Sequence, residues 1–553
     1  MMKRAIGKVT ATEKNPTTCD TLRFWVHRDV VIRPFDVVRV QHISRYGGDG
    51  EPSYTYAIVQ DLEYITDSAG HLANYVSSDF GELDSVPQNA RMGATIAEAQ
   101  VLYNNQEIEM PVRDGTTVEW ADVEGIKEAL GISAYQKPIP AGYISISNGE
   151  DVPIEVEAAY LLGPEGAHLN IAGISGLATK TSYAMFLMNS IQQRMSDEVA
   201  MIIFNVKGND LLAIDIPNLG LTDVQREEWE KCGLNPVPFD NVTYLYPFAK
   251  RPGNGYTISH VEFEMLERQR KNGQAFNYFY DIETTKSKLA LLFSDIDDPS
   301  STMESIAHQL SDLDASNWDT FRDGVRARTK RGSGKDQDIS VMSWRKFSRI
   351  LRSRTENDLF TERARTQTEK KRHKLIREAI LGLRPGSILV IDVEPLPDYL
   401  QCLVFGDVIQ TIYGIKLGDE EDVRPGDLGK VIIFADELNK YAPKFSSGSK
   451  RTLTRNILEV TERGRSLGVV LFGAEQFRSG VHDRVLGNCG TNVYGRTSPV
   501  EIAKCPDYRY FPNAYKAAIT RLPQGSLLLQ HAVFKTSLVK VQFPFPSYHQ
   551  PQR

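Results

Sequence analysis

Along residues 6–12, 21–26, 37–42 and 54–59 apolar and polar positions alternate with a period of two, and β-branched and aromatic side chains are frequent. Asn15-Pro16 and Gly47-Gly48 interrupt these runs with turn chemistry, so the spacing predicts short strands closing into a small β-barrel. Two more strands are expected at 97–103 and 106–112. The proline- and glycine-rich stretch 137–147 reads as the passage out of this first domain, which is assigned residues 1–150.

Beyond about residue 155 the pattern changes to short, wholly apolar runs separated by helical periodicity. Strands are predicted over 169–172, 199–206, 387–393, 431–435, 468–472 and 491–493, and a helix over 181–195. This alternation predicts an α/β domain with a mainly parallel sheet, built from residues 151–254 and 386–553. Residues 255–385 break the pattern with polar helical stretches at 261–272, 301–313 and 362–383, and read as a helical insertion. Closing strands are expected at 525–532 and 537–543.

A chain of 553 residues that is 41% apolar can bury a large core divided among several domains. It has no run approaching the roughly 18 apolar residues that span a bilayer, so no membrane contact and a cytoplasmic location are expected. Cys19, Cys232, Cys402, Cys489 and Cys505 form no CxxC pair, which argues against a zinc site or a disulfide framework. The net charge of -7 hides an uneven layout. By count, residues 51–165 carry twenty acidic and four basic side chains, and residues 321–380 carry eighteen basic and eight acidic ones. The first region would repel a phosphate backbone. The second, with Arg326, Arg328 and Lys330, is either a surface for nucleic acid or a solvated helical face.

Three segments carry candidate chemistry. Between the strand at 169–172 and the helix that follows lie Gly173, Ile174, Ser175, Gly176, Leu177, Ala178, Thr179, Lys180, Thr181 and Ser182. Glycines there let backbone N–H groups turn inward, a helix N-terminus adds partial positive charge, Lys180 can reach terminal phosphates, and the Thr181 hydroxyl can ligate magnesium. The usual phosphate-loop pattern has glycine where this chain has Ile174 and Thr179, while a dinucleotide GxGxxG is absent. The strand at 431–435 ends in Asp436 and Glu437, which places two carboxylates at the crevice beyond a parallel sheet: the first for magnesium, the second to orient or deprotonate water. Finally, Arg463 and Arg465 precede the strand at 468–472, and Gln476 follows it. Gln476 can sense a γ-phosphate, and one of the two arginines can act across a subunit boundary as a finger.

Together with Phe204-Asn205-Val206-Lys207-Gly208 and Leu438-Asn439-Lys440-Tyr441-Ala442-Pro443, these motifs resemble the HerA branch of the HerA/FtsK ATPases. The resemblance implies a RecA-like P-loop core binding ATP and Mg2+, a hexameric ring, a channel for double-stranded DNA, and an effector such as a nuclease docked on the barrel face. By position, Lys180, Asp436, Glu437, Arg465 and Gln476 take the family's functional roles, with Gly173, Ser175, Gly176, Thr179 and Ser182 completing the nucleotide cradle. Asn205 stands where relatives often carry aspartate. The offset loop and acidic barrel are closer to defence-associated rings paired with a nuclease or a sirtuin-like enzyme against phage. Two functions follow: a motor or regulatory ATPase, or a nucleotide-stabilised scaffold with little or no hydrolysis.

Overall fold

A computed structural model describes residues 5–550 apart from 46–49, 78–79, 81, 83, 85–91, 175–178, 294–295, 297, 299, 331–338, 363–371, 421–422 and 446–449. Six antiparallel strands near the N-terminus are β1 (Ala5–Val9), β2 (Thr21–Val26), β3 (Val37–His42), β4 (Ser53–Thr66), β5 (Gly93–Asn104) and β6 (Thr117–Trp120). They close into a barrel in the order β1-β2-β5-β4-β3-β6, with Ile6, Phe24, Val38, Val40, Val59, Ala97 and Val118 filling the interior. Their alternation is the usual barrel signature of one face in and one face out. Residues 106–112, expected as a strand, are irregular. The Asn104 side chain accepts the N–H groups of Gln106 and Ile108 at 2.9 and 3.1 Å, so the backbone there is satisfied locally rather than by a neighbouring strand.

The second sheet has twelve strands. They are β7 (Pro138–Ser145), β8 (Asp151–Glu157), β9 (Leu169–Ala172), β10 (Val199–Asn205), β11 (Val242–Pro247), β12 (Ala275–Tyr278), β13 (Ile388–Asp392), β14 (Lys430–Asp436), β15 (Val469–Glu475), β16 (Thr491–Tyr494), β17 (Ser526–His531) and β18 (Val539–Gln542). Their order is β12-β11-β13-β10-β14-β15-β9-β16-β17-β18-β7-β8. The run from β12 to β16 is parallel and the remainder antiparallel. Both faces of the parallel strands are covered, which is why β10 and β15 are buried at every position.

Two expectations need correction. The stretch 137–147 is not a linker: β7 within it pairs with β8 and β18 in the large sheet, its prolines and glycine tolerated beside a register shift between Pro140 and Gly142. Residues 255–385 are not purely helical either. The four-residue strand β12 lies among them and extends the sheet through β11, too short to show a period of its own. The long helix expected over 362–383 falls partly outside the described residues, and the described part is helical only at Ile376–Leu381. Just before it, Asn277 on β12 donates to Arg372 O at 2.7 Å and accepts from Lys374 N–H at 3.0 Å. The edge of β12 is therefore paired by extended chain, which removes an open sheet edge.

Adjacent strands β9 and β15 send their following connections in opposite directions, β9 toward β10 and β15 toward β16. Such a switch point opens a crevice at the carboxyl ends of the strands. Among the described residues no helix is long and apolar enough to cross a membrane.

Candidate functional site

β9 ends at Ala172, and the helix Thr179–Met195 begins seven residues later. Gly173 N–H donates to Glu475 O at 3.2 Å and Ile174 N–H to Arg496 O at 2.8 Å, so the entry to the loop is pinned to the ends of β15 and β16. Ser175 and Gly176 lie outside the described residues. Thr179, Lys180, Thr181 and Ser182 form the first turn of the helix and line a cleft of ≈ 180 Å³ together with Ile174, Asn205, Lys207 and Asp436. The N–H groups of a helix's first turn face the space beyond its end, which suits an anion there.

The cleft joins residues far apart in sequence. Thr181 Oγ1 donates to Asp436 Oδ2 at 3.2 Å, and Lys180 Nζ folds back onto Gly173 O at 2.9 Å. Burial pushes the Lys180 ammonium below its ordinary range, the Asp436 charge opposes this, and the Lys207 charge adds to it. Glu437 follows in a left-handed conformation at φ 58°, which is uncommon for a residue with a side chain. Its N–H donates to Asp436 Oδ1 at 2.8 Å, and the short helix Leu438–Tyr441 starts there. Gly473 on β15 makes room for that helix, since a Cβ at 473 would lie 2.4 Å from Leu438 Cδ2. Asp436 lines the cleft, while Glu437, outside its lining, follows on a strained turn held against the neighbouring strand.

The other residues singled out from sequence are placed as follows. Gln476 is one residue past β15, on the same rim as Asp436, half-buried and outside the lining of the cleft. Arg463 and Arg465 are exposed near the end of the helix Lys450–Leu467, which leads into the amino end of β15. They therefore sit across the seven-residue strand from the cleft, a distance of about 20 Å. Within one subunit they do not reach it. Arg465 instead donates to Glu165 O at 3.2 Å.

Four features have no role in the reading of the motifs, although two of them, Asn205 and Lys207, lie within one. Lys207, two residues past β10, places its Nζ 3.3 Å from Asp436 Oδ2 and 2.7 Å from Glu437 Oε1. Its signal was the same as that of the acid pair, a polar residue just past a buried strand. Tyr548 and Gln550, from the tail, line the cleft as well. Arg478 is buried and donates to Asp507 at 2.6 Å, to Asn492 at 2.9 Å and to Asn170, whose amide donates to Glu475 at 2.9 Å.

The fourth is the setting of Asn205. Its amide Nδ2 donates to Gly208 O and to Asp392 Oδ1, each at 2.8 Å, and its Oδ1 has no hydrogen-bond partner among the described residues. Asp392 is buried and also accepts from Ser259, yet desolvation still lifts its carboxyl to about 6. An aspartate at 205 would lose both donated hydrogen bonds and face a second carboxylate. Asn205→Asp is expected to destabilise the chain by about 1–3 kcal/mol, read from the shift in urea midpoint. An unchanged midpoint would show that the amide bonds contribute little.

No protein-family model and no curated protein matches the chain. Among solved structures it is similar to the plasmid coupling protein TrwB in complex with a non-hydrolysable GTP analogue, at 13% identity over 70% of this chain and 87% of that one, TM-score 0.41. It is also similar to VirB4 of Thermoanaerobacter pseudethanolicus, at 11% identity over 74% and 96%, TM-score 0.39. A third match is the genome packaging NTPase B204 of Sulfolobus turreted icosahedral virus 2 with ATP-gammaS, at 13% identity over 31% and 72%, TM-score 0.22. At these scores the matches carry nothing about activity.

The residues of the cleft fit magnesium and a triphosphate. A hydroxyl and a carboxylate already share one hydrogen bond at Thr181 and Asp436, a hard-oxygen pair of the kind magnesium takes alongside phosphate oxygens and water. Among the described residues no group of three or more His, Cys, Asp or Glu forms a protein-only metal cage.

Proposed function

We propose that the chain is a magnesium-dependent ATPase of HerA/FtsK type that works as a ring. The hydrogen bond between Thr181 and Asp436, with Lys180 in the same cleft, carries this reading. It brings the phosphate-binding helix and the acid strand to one place, although 255 residues separate them along the chain. Lys180 and the helix N-terminus would hold the β- and γ-phosphates, Thr181 and Asp436 the magnesium, and Glu437 would orient and deprotonate the attacking water. When bound, magnesium neutralises charge on the phosphate oxygens. Arg463 or Arg465, distant from the cleft of its own subunit, would serve the next subunit's site, and Gln476 would sense the γ-phosphate on the rim it shares with Asp436.

Calorimetric titration with ATP and Mg2+ tests the central assignment. Lys180→Ala is expected to weaken binding by about 1.5–3 kcal/mol, the worth of a hydrogen bond to a charged group. Equal affinity in both proteins would overturn it. Mass measurement in the same buffers is expected to show a hexamer with nucleotide.

Charge and exposure support a reading of the partners. On the helix Val341–Thr355, Arg345, Lys346, Arg349 and Arg352 are exposed along one side, opposite buried Trp344, Phe347 and Leu351. Arg328 does not join this stripe freely, because its guanidinium sits 5.4 Å over the Trp344 ring. We assign the stripe to double-stranded DNA and the barrel to an effector, a nuclease or an NAD-consuming enzyme of a phage-defence system. Replacing Arg345, Lys346 and Arg349 with alanine is expected to cut the slope of log affinity against log salt by about 3. A flat salt response in the parent chain would remove DNA from the reading.

A further inference from the structure

Lys207 pairs with the carboxylate of the residue proposed above to hold magnesium. Its Nζ lies 3.3 Å from Asp436 Oδ2, the same oxygen that accepts the Thr181 hydroxyl at 3.2 Å, and 2.7 Å from Glu437 Oε1. Magnesium bonds its oxygens at about 2.0–2.1 Å. An ion on Asp436 Oδ2 would therefore sit only a few ångströms from the ammonium, with like charges facing across a partly buried site. Two neighbouring carboxylates, conversely, repel each other when no cation lies between them. Lys207 supplies that cation from within the chain.

We propose that the Lys207 ammonium is a resident counter-ion that holds the Asp436–Glu437 pair while nucleotide is absent, and that it is displaced as the divalent ion enters. This rests on the cleft being a magnesium–nucleotide site. The local construction favours movement of the side chain alone. Asn205 Nδ2 holds Gly208 O at 2.8 Å, so the backbone after β10 is tied down, while the Lys207 side chain is 50% exposed and can swing outward. Gly208, at φ 52°, has no described atom within 4 Å of where a Cβ would be. Lys207 is thus a positioning residue: it sets the conformation of the acids and the affinity for the metal, and it exchanges with the ion rather than binding beside it.

The test uses the full chain and Mn2+ as the probe, with free Mn2+ followed by electron paramagnetic resonance, first without nucleotide and then with saturating ADP. Lys207→Met is expected to bind Mn2+ about tenfold more tightly than the parent, the scale of two half-exposed ion pairs removed together. Lys207→Gln should follow Lys207→Met, and Lys207→Arg, which keeps the charge, should bind no more tightly than the parent. Equal or weaker binding by Lys207→Met and Lys207→Gln, or no Mn2+ binding by any of these proteins, overturns the proposal. Asp436→Asn separates the two levels. If it abolishes Mn2+ binding with ADP while Lys207→Met matches the parent, the exchange alone fails; if it binds Mn2+ and ADP as the parent does, the magnesium–nucleotide reading fails too.

Discussion

Replacing Glu437 with glutamine is expected to lower steady-state phosphate release by about 10²–10⁴-fold, the usual contribution of a positioned general base, while ATP still binds. The amide preserves the size of the side chain and the turn at φ 58°, but it cannot take a proton from water. The double role of this residue makes the outcome informative. Glu437 also accepts the Lys207 ammonium at 2.7 Å, a half-exposed pair whose loss costs at most about 1 kcal/mol. A fall in rate of that larger size therefore reports chemistry and not structure. Phosphate release equal to that of the parent would remove Glu437 from the mechanism and favour the scaffold.

The largest expected effect on stability comes from Arg478, which is 3% exposed and ties β9, β16 and the segment around Asp507 together through Asn170, Asn492 and Asp507. Its guanidinium also lies 5.3 Å over the Tyr494 ring and favours the ionised form of Glu475, which is fully buried with one carboxyl oxygen unpaired among the described residues. Arg478→Met is expected to destabilise the chain by about 3–5 kcal/mol, the cost of breaking a buried charged network at one partner. Chemical unfolding at several pH values measures it, and a loss under about 1 kcal/mol would mean that Asn170 and Asn492 find other donors.

Glu475 gives that network a pH dependence of known sign. Burial lifts its carboxyl from an ordinary 4.5 to about 8, against the pull of Arg478, Asn170 and Lys180. Between those two values the folded chain holds a proton that the unfolded chain has released, so stability falls as pH rises through the window, by up to about 1.4 kcal/mol per pH unit. Glu475→Gln should flatten this slope, whereas Arg478→Met should lose more stability above about pH 8, where Glu475 is charged, than below it.

The parts of the fold that could be read from sequence are those fixed by local pattern. β9, β10, β14 and β15 are apolar runs bounded by glycine or charge; β9, β10, β14 and the helix after β9 lie within two residues of the expected bounds, and β15 runs three residues past its expected end. Asp436 and Glu437 were legible for the same reason, since a buried strand that stops at two carboxylates has only one rim to offer them. What could not be read depends on pairing across long separations. Nothing near residue 275 shows that four residues will join β11, and the prolines in 138–145 read as a loop until β8 and β18 are beside them. The bonds from Lys207 to Asp436 and from Arg478 to Asn170 span 229 and 308 residues, and no spacing rule reaches that far.

The barrel has no simple seam with the large sheet. Phe35 stacks on Tyr515 at 4.3 Å, the Asp36 carboxylate accepts from the Ser147 backbone and hydroxyl at 3.1 and 2.6 Å, and one continuous apolar cluster runs from Ile6 and Phe24 through Ile126 and Leu130 to Ile139 and Tyr183. A chimera that exchanges this barrel for another cannot be spliced at a hinge. The graft would have to bring a matching patch for Tyr515 and Ser147, so the two parts are constrained to change sequence in concert.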